Sequence, residues 1–358
     1  MRVEYKEHSL LLASPLPLGR FDKHAEKLYL YDISPVLKLR NRLFHLVYPC
    51  STQDNSQGEP YLMEKISYKG WPNCFRLSNS QVDLIITGDV GPRIIRFGFV
   101  GEDNEFKEFA DQMGKTGGGE WRIYGGHRLW HAPEVMGRTY FPDNTPVKVE
   151  ERAGSVHILQ PTEPTTGIQK EMEIRLAPDT AHVQVTHRLR NTTPWALSVM
   201  AQGGKAIIPL PRLGRHEDNL LPTGSLALLA YTDMADPRWI WGTKYILLRQ
   251  DPAATKPVKV GVMATQGWVA YARNNHLFVK KFAYVAGAPY PDLGSSVETF
   301  TNSEMLEVET LGPLVALQPG AAVEHVEDWF LFRDVPGPND DADVDKAIMP
   351  KIEAAKIA

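Results

Sequence analysis

The chain has 358 residues, 43% hydrophobic and 23% charged, with a formal net charge of −4. That balance allows a substantial core and offers no basic surplus toward nucleic acid or an anionic membrane. No apolar run reaches the ~18 residues of a membrane helix. The two cysteines, Cys50 and Cys74, form neither a disulfide framework nor a zinc knuckle.

The start, Met1 to Glu7, carries acidic residues and leads only to the short apolar stretch Leu10 to Ala13. It does not read as a secretory signal, so a cytoplasmic location is expected. Residues 1–62 hold two apolar patches, Leu10-Leu11-Leu12 and Leu43 to Tyr48, followed by a polar stretch from Ser51 to Glu59. The polar stretch reads as a linker. We expect 1–62 to be a poorly ordered or loosely attached extension, or the product of a mis-set translation start, with Met63 opening the compact domain. The alternative is that 1–62 supplies an edge strand.

From Met63 onward, glycine and proline punctuate short apolar runs, as in a many-stranded β protein. Strands are expected over Val82 to Thr87 and Arg93 to Val100, broken by Gly91-Pro92. Val147 to Glu151 and Val156 to Gln160 flank a turn at Ala153-Gly154. Gln169 to Leu176 and His182 to Leu189 form the clearest antiparallel pair. In the second of these, Val183, Val185, His187 and Leu189 share one face, a period of two. Met305 to Thr310, Leu314 to Leu317 and Val323 to Phe332 complete the strands, and Asp340 to Lys356 suits a terminal helix. The expected domain is therefore all-β, a mostly antiparallel sandwich of roughly 15–20 strands over 63–335, with a tail at 336–358.

The segment richest in chemistry runs from Gly117 to Glu134. Its five glycines allow tight backbone turns beside a ligand. Trp121, Trp130 and Tyr124 offer flat apolar faces, while Arg122, Arg128, His127, His131, Glu120 and Glu134 offer hydrogen bonds. A sugar needs both, its C–H face on an aromatic ring and its hydroxyls on polar groups. Arg93, Trp121, Arg128, Trp130 and Glu134 are the expected binding residues. His127, His131 and Glu134 would share a helical face, but the nearby glycines and Pro133 oppose a helix, and no metal is expected. In a strand over Met305 to Thr310, Glu307 and Glu309 point the same way, and their repulsion raises the pKa of one of them. The alternative reading of that pair is a solvent-facing strand surface. Neither GxGxxG nor GxSxG occurs, so a dinucleotide fold and a serine triad have no support.

Gly91 to Phe97, Trp121 to Glu134, Tyr140 to Asn144, and Glu298 to Asn302 continuing through Pro313 together resemble an uncharacterised bacterial family, over about residues 63–333. That family is similar to the galactose-mutarotase-like (aldose 1-epimerase-like) superfamily. The resemblance implies a β-supersandwich with a sugar cleft on the concave face of the larger sheet. It implies a late-strand glutamate that removes the anomeric proton, a place Glu309 fits first and Glu307 second. It also implies a histidine acid in a mid-chain strand, where Ser198 to Lys205 has none, so that His127, His131 or His187 would have to serve. No cofactor is implied. The expected partner is a small sugar or oligosaccharide, with no nucleic acid and no membrane. A sugar-binding protein without turnover and a glycoside hydrolase or lyase, with Glu134 and Glu309 as its carboxyl pair, are the alternatives.

Overall fold

A computed structural model describes residues 61–191, 198–200, 204–218 and 220–357, all within one unit, Gln57–Ala358. The expectation for 1–62 lies, but for its last two positions, outside the described residues. Alternating apolar side chains and frequent turn residues build strands that associate into three antiparallel sheets. The six-stranded sheet takes β1 (Leu62–Tyr68), β2 (Trp71–Ser78), β3 (Val82–Thr87), β4 (Arg93–Phe99) and β5 (His127–Trp130) in order, then β10 (Ser198–Met200).

The ten-stranded sheet opens at one edge with β6 (Lys148–Arg152), β7 (Ser155–Leu159), β8 (Ile168–Leu176) and β9 (His182–Asn191). It continues through β20 (Ala322–Phe332), β17 (His276–Phe282), β16 (Trp268–Arg273), β11 (Lys205–Pro209), β14 (Tyr245–Arg249) and β13 (Trp239–Trp241). The four-stranded sheet orders β12 (Leu226–Leu228), β15 (Val258–Val262), β18 (Val297–Thr301) and β19 (Leu306–Thr310). The protein is thus mostly antiparallel β with a few short helices.

The predicted period of two holds in β9, where Val183, Val185, His187 and Leu189 are buried and the alternate residues are not. One expected strand fails: Leu314 to Leu317 is irregular. Gly312-Pro313 precedes it and Pro319 follows it, and a proline has no N–H to give a ladder.

The main core joins all three sheets. Leu84, Ile94 and Phe97 of the six-stranded sheet meet Val183, Val185 and Trp329 of the ten-stranded sheet and Val260, Leu306 and Val308 of the four-stranded one. A second core lies where the chain ends. Asp341–Asp343, a π-helical turn Val344–Ile348 and Met349–Ala354 bring Val344, Ile348 and Ile352 onto Leu247, Trp268 and Val279. These two cores cover both faces of that part of the ten-stranded sheet. The face of the four-stranded sheet opposite Leu306 and Val308 is left outside the main core. Among the described residues no helix is long and apolar enough to cross a membrane.

Candidate functional site

Strand parity decides which side chains meet. In β19, Leu306 and Val308 enter the main core, so Glu307 and Glu309 project from the opposite face. Registers then extend that face sideways. Phe300 lies opposite both Glu307 and Lys259, while Glu298 lies opposite both Glu309 and Gly261. The face therefore carries Lys259, Glu298, Phe300, Glu307 and Glu309 together. At Gly261 the face is closed by Ser295, since a Cβ there would come 2.3 Å from Ser295 Oγ. Lys259 Nζ is the hub: it stands 2.7 Å from Glu298, 3.3 Å from Glu309 and 3.7 Å from Glu134.

The aromatic side arrives on β5 and its approach. Gly125 and Gly126 have φ of +105° and +71°, and an added Cβ would fall 2.0 Å from Lys107 O and 2.4 Å from Ile94 O. Only glycine takes that path without strain, and it delivers β5 against β4, with Arg93 opposite Arg128. In β5 the parity splits the strand. Arg128 and Trp130 face the four-stranded sheet, and His127 and Leu129 face the core. β10 pairs with β5 and lies beside β19, which brings the two sheets together.

The result is a cleft of about 230 Å³. Trp121, Trp130, Tyr140, Tyr231 and Phe300 form its walls, and Lys259, Glu134 and Glu307 its polar lining. The Arg128 guanidinium lies over the Trp121 ring at 5.1 Å and donates to Thr139 O at 3.1 Å. Trp121 and Tyr140 meet edge to face at 5.0 Å. Tyr140 donates its hydroxyl to Glu134. The buried indole N–H groups of Trp121 and Trp130 have no hydrogen-bond partner among the described residues. Such orphans are rare in ordinary cores and gather where something else completes the set.

Glu298, Glu307 and Glu309 share this face with Lys259, and all three are buried. Burial, then repulsion from Glu309, holds the Glu307 carboxyl well above the usual range against the pull of Lys259. Burial raises Glu309 as well, with Lys259 opposing. Glu298 is pushed up to about 8 by burial and by Glu309, again with Lys259 opposing. Burial alone would lower Lys259, but the three glutamates outweigh it and hold the ammonium charged. The face therefore keeps protonated carboxyls near neutral pH, beside a fixed positive charge.

The structure brings together Trp121, Arg128, Trp130, Glu134, Glu307 and Glu309, and leaves three expected residues outside. Arg93 is buried; it pairs with Asp143 at 2.8 Å and donates to Ile123 O and Gly125 O, so it braces the turn before β5. His131 is buried 3.5 Å from Glu163, which Lys170 holds at 2.6 Å. His127 points into the core, its Nε2 2.6 Å from His187 Nε2 and its ring edge-on to Trp329. No histidine lines the aromatic cleft among the described residues. The cleft also lies off the four-stranded sheet, where the larger sheet was expected; the larger sheet's inner face is taken by the main core.

His127, His187 and Glu327 have ligand atoms within 4.8 Å of one another, the spacing of a metal site. Their surroundings do not suit an ion. Glu327 already accepts from Lys280 at 2.8 Å, Trp329 at 2.7 Å and Thr310 at 2.5 Å. The two imidazole nitrogens stand at hydrogen-bond distance, too close to flank a metal. His187 Nδ1 lies 3.0 Å from His325 O and donates to it, which leaves Nε2 to accept from His127. The group is a hydrogen-bonded plug beneath β19.

Sequence reasoning missed Lys259, Glu298, Tyr140, Tyr231 and Phe300. A signal for two of them was present: Lys259 in Val258-Lys259-Val260 and Glu298 in Val297-Glu298-Thr299 are single charges inside otherwise uncharged strand runs. Charges so placed are buried only when paired.

No family model matches the chain, and no curated protein matches it. The solved structures that resemble it are mostly galactose mutarotase-like or aldose 1-epimerase proteins. A provisionally named mutarotase from Salmonella typhimurium is 11% identical over 77% of this chain and 92% of its own, with a TM-score of 0.48. A galactose mutarotase-like protein from Lactobacillus casei is 11% identical over 73% and 100%, with a TM-score of 0.44. A TPR-domain containing protein from Parabacteroides distasonis is 13% identical over 74% of this chain, with a TM-score of 0.44. This chain spans about half of that protein, 48%.

Proposed function

We propose that the aromatic cleft binds a saccharide and that its carboxyls move protons at the anomeric centre. One observation carries the reading: an aromatic-walled cleft is lined by the buried Glu307, whose carboxyl burial holds well above the usual range, together with Lys259 and the Glu134 carboxyl. Aromatic faces take the C–H side of a sugar ring, and the polar lining takes its hydroxyls. Glu307 is the proton donor to the ring oxygen. Glu134, which accepts from Tyr140, takes the proton of the anomeric hydroxyl. The ring C–O bond then breaks as the carbonyl forms, and reclosure on the other face returns both protons. Glu309 and Glu298 do not line the cleft; both position Lys259, and Glu309 also raises the Glu307 carboxyl. The acid is thus a carboxyl in place of the expected histidine.

Glycoside hydrolysis is the second reading, favoured by the pairing of two carboxyl residues, Glu134 and Glu307, in one cleft. The test is polarimetry and NMR on freshly dissolved α-glucose and α-galactose and on aryl glycosides. Faster anomer exchange that Glu307→Gln abolishes supports epimerisation. Release of the aglycone instead supports hydrolysis. Saturation transfer from protein to sugar without either reaction leaves binding alone, and no transfer to any sugar overturns the proposal.

A further inference from the structure

The aromatic cleft does not stand alone. A second basin of about 560 Å³ opens beside it, and Met305 lines both. Met305 is the residue just before β19. The turn that carries it is pinned by Gln250, whose side-chain amide donates to Asn302 O at 3.2 Å and Ser303 O at 2.8 Å. The two hollows therefore share a wall made of one flexible thioether, a side chain that adapts readily to what lies against it.

The basin differs in chemistry from the cleft. Its surface is mostly polar, and three of its four lining cations, Lys69, Arg96 and Arg273 but not Lys107, stand on carboxylates. Lys69 lies 2.6 Å from Glu108, Arg96 3.0 Å from Asp83, and Arg273 3.8 Å from Glu105. His276 lies 2.6 Å from that same Glu105 at the basin wall. An anion such as a phosphate would have to compete with these carboxylates for three of the four positive charges. A neutral chain of hydroxyls meets no such competition, because it can both donate to the carboxylates and accept from the ammonium and guanidinium groups. The pairs also hold the walls in place before a ligand arrives, which lowers the ordering cost of binding.

The geometry points to an oligosaccharide as the ligand, its reacting ring in the aromatic cleft and its following residues passing Met305 into the polar basin. This inference rests on the saccharide reading of the cleft and extends it to substrate length. Basin residues at the rim, Lys69 and Glu304, are exposed and lie outside the aromatic cleft. Replacing them removes contacts to the extension without touching the wall that holds the reacting ring.

The experiment measures affinities by calorimetry and saturation-transfer NMR for glucose and galactose and for maltotriose, cellotriose and a β-galactotriose, using the full chain and its Lys69→Ala/Glu304→Ala variant. Thermal melts check that the variant folds. The expected result is that one trisaccharide binds at least about tenfold tighter than its monosaccharide. The variant then loses most of that gain while its monosaccharide affinity holds. A second variant, Met305→Trp, fills the junction and lowers trisaccharide affinity toward the monosaccharide value. Equal affinity for one ring and three, or a length gain untouched by both variants, overturns the inference and leaves the saccharide cleft standing. Failure of every saccharide to bind overturns both.

Discussion

At the scale of single residues, the site depends on how four ionisable side chains, Lys259, Glu298, Glu307 and Glu309, share one buried space. Glu307 is kept protonated chiefly by burial and next by Glu309, and Lys259 opposes both. Glu307→Gln should therefore leave saccharide binding in place and cut turnover on the order of 100-fold or more, read as kcat against KM. Glu309→Gln should act differently. Removing that neighbour's charge lowers the Glu307 pKa, so the alkaline limb of the pH–rate profile should move to lower pH with a smaller loss of rate. Lys259→Met leaves buried carboxyls without their cation. A cost of about 3–5 kcal/mol is expected at alkaline pH, and less in acid, where the carboxyls protonate; urea melts at two pH values would show it.

At the scale of elements, parity and turns place these residues. The alternation in β19 was legible before any coordinates, because Leu306 and Val308 are apolar and Glu307 and Glu309 are not. The same rule applied to His127-Arg128-Leu129-Trp130 excludes His127 from the face that holds Arg128 and Trp130. That parity is hidden by the glycines upstream, which make the segment look like a loop. Lys259 and Glu298 were harder to find, since their roles follow from the order β15-β18-β19, and strand order is set by packing between distant segments. Tyr231 lies in no strand and is exposed on a connection whose path no local pattern dictates. The approach to β5 can be tested directly. Gly126→Ala places a Cβ 2.4 Å from Ile94 O at φ +71°. The strain should cost on the order of 2 kcal/mol and weaken saccharide binding, because the turn sets the position of Trp130; melts and binding isotherms on the same sample would read both.

At the scale of the whole molecule, the buried acids set opposite slopes of stability with pH. Glu298, Glu307 and Glu309 all have folded-state pKa values above the unfolded 4.5, with Glu298 at about 8. The folded protein holds protons that the unfolded chain releases. Their contribution is complete below about 4.5 and falls as pH rises toward about 8. Glu163 works the other way. Burial pulls it up, but Lys170, His131 and Thr166 outweigh that and hold it at about 2. Its contribution is present above 4.5 and lost as pH drops toward about 2. Stability should therefore peak in mild acid, and Glu298→Gln should flatten the decline on the alkaline side; denaturation midpoints across pH would check the slope.

The account turns on whether a sugar ring occupies the aromatic cleft against Glu307. A crystal of the full chain soaked in a mixture of monosaccharides and trisaccharides measures this directly. The account predicts a ring stacked on the cleft's aromatic wall, with Glu307 within hydrogen-bond distance of its ring or anomeric oxygen. A saccharide bound only elsewhere, with the cleft holding nothing but solvent, would contradict it.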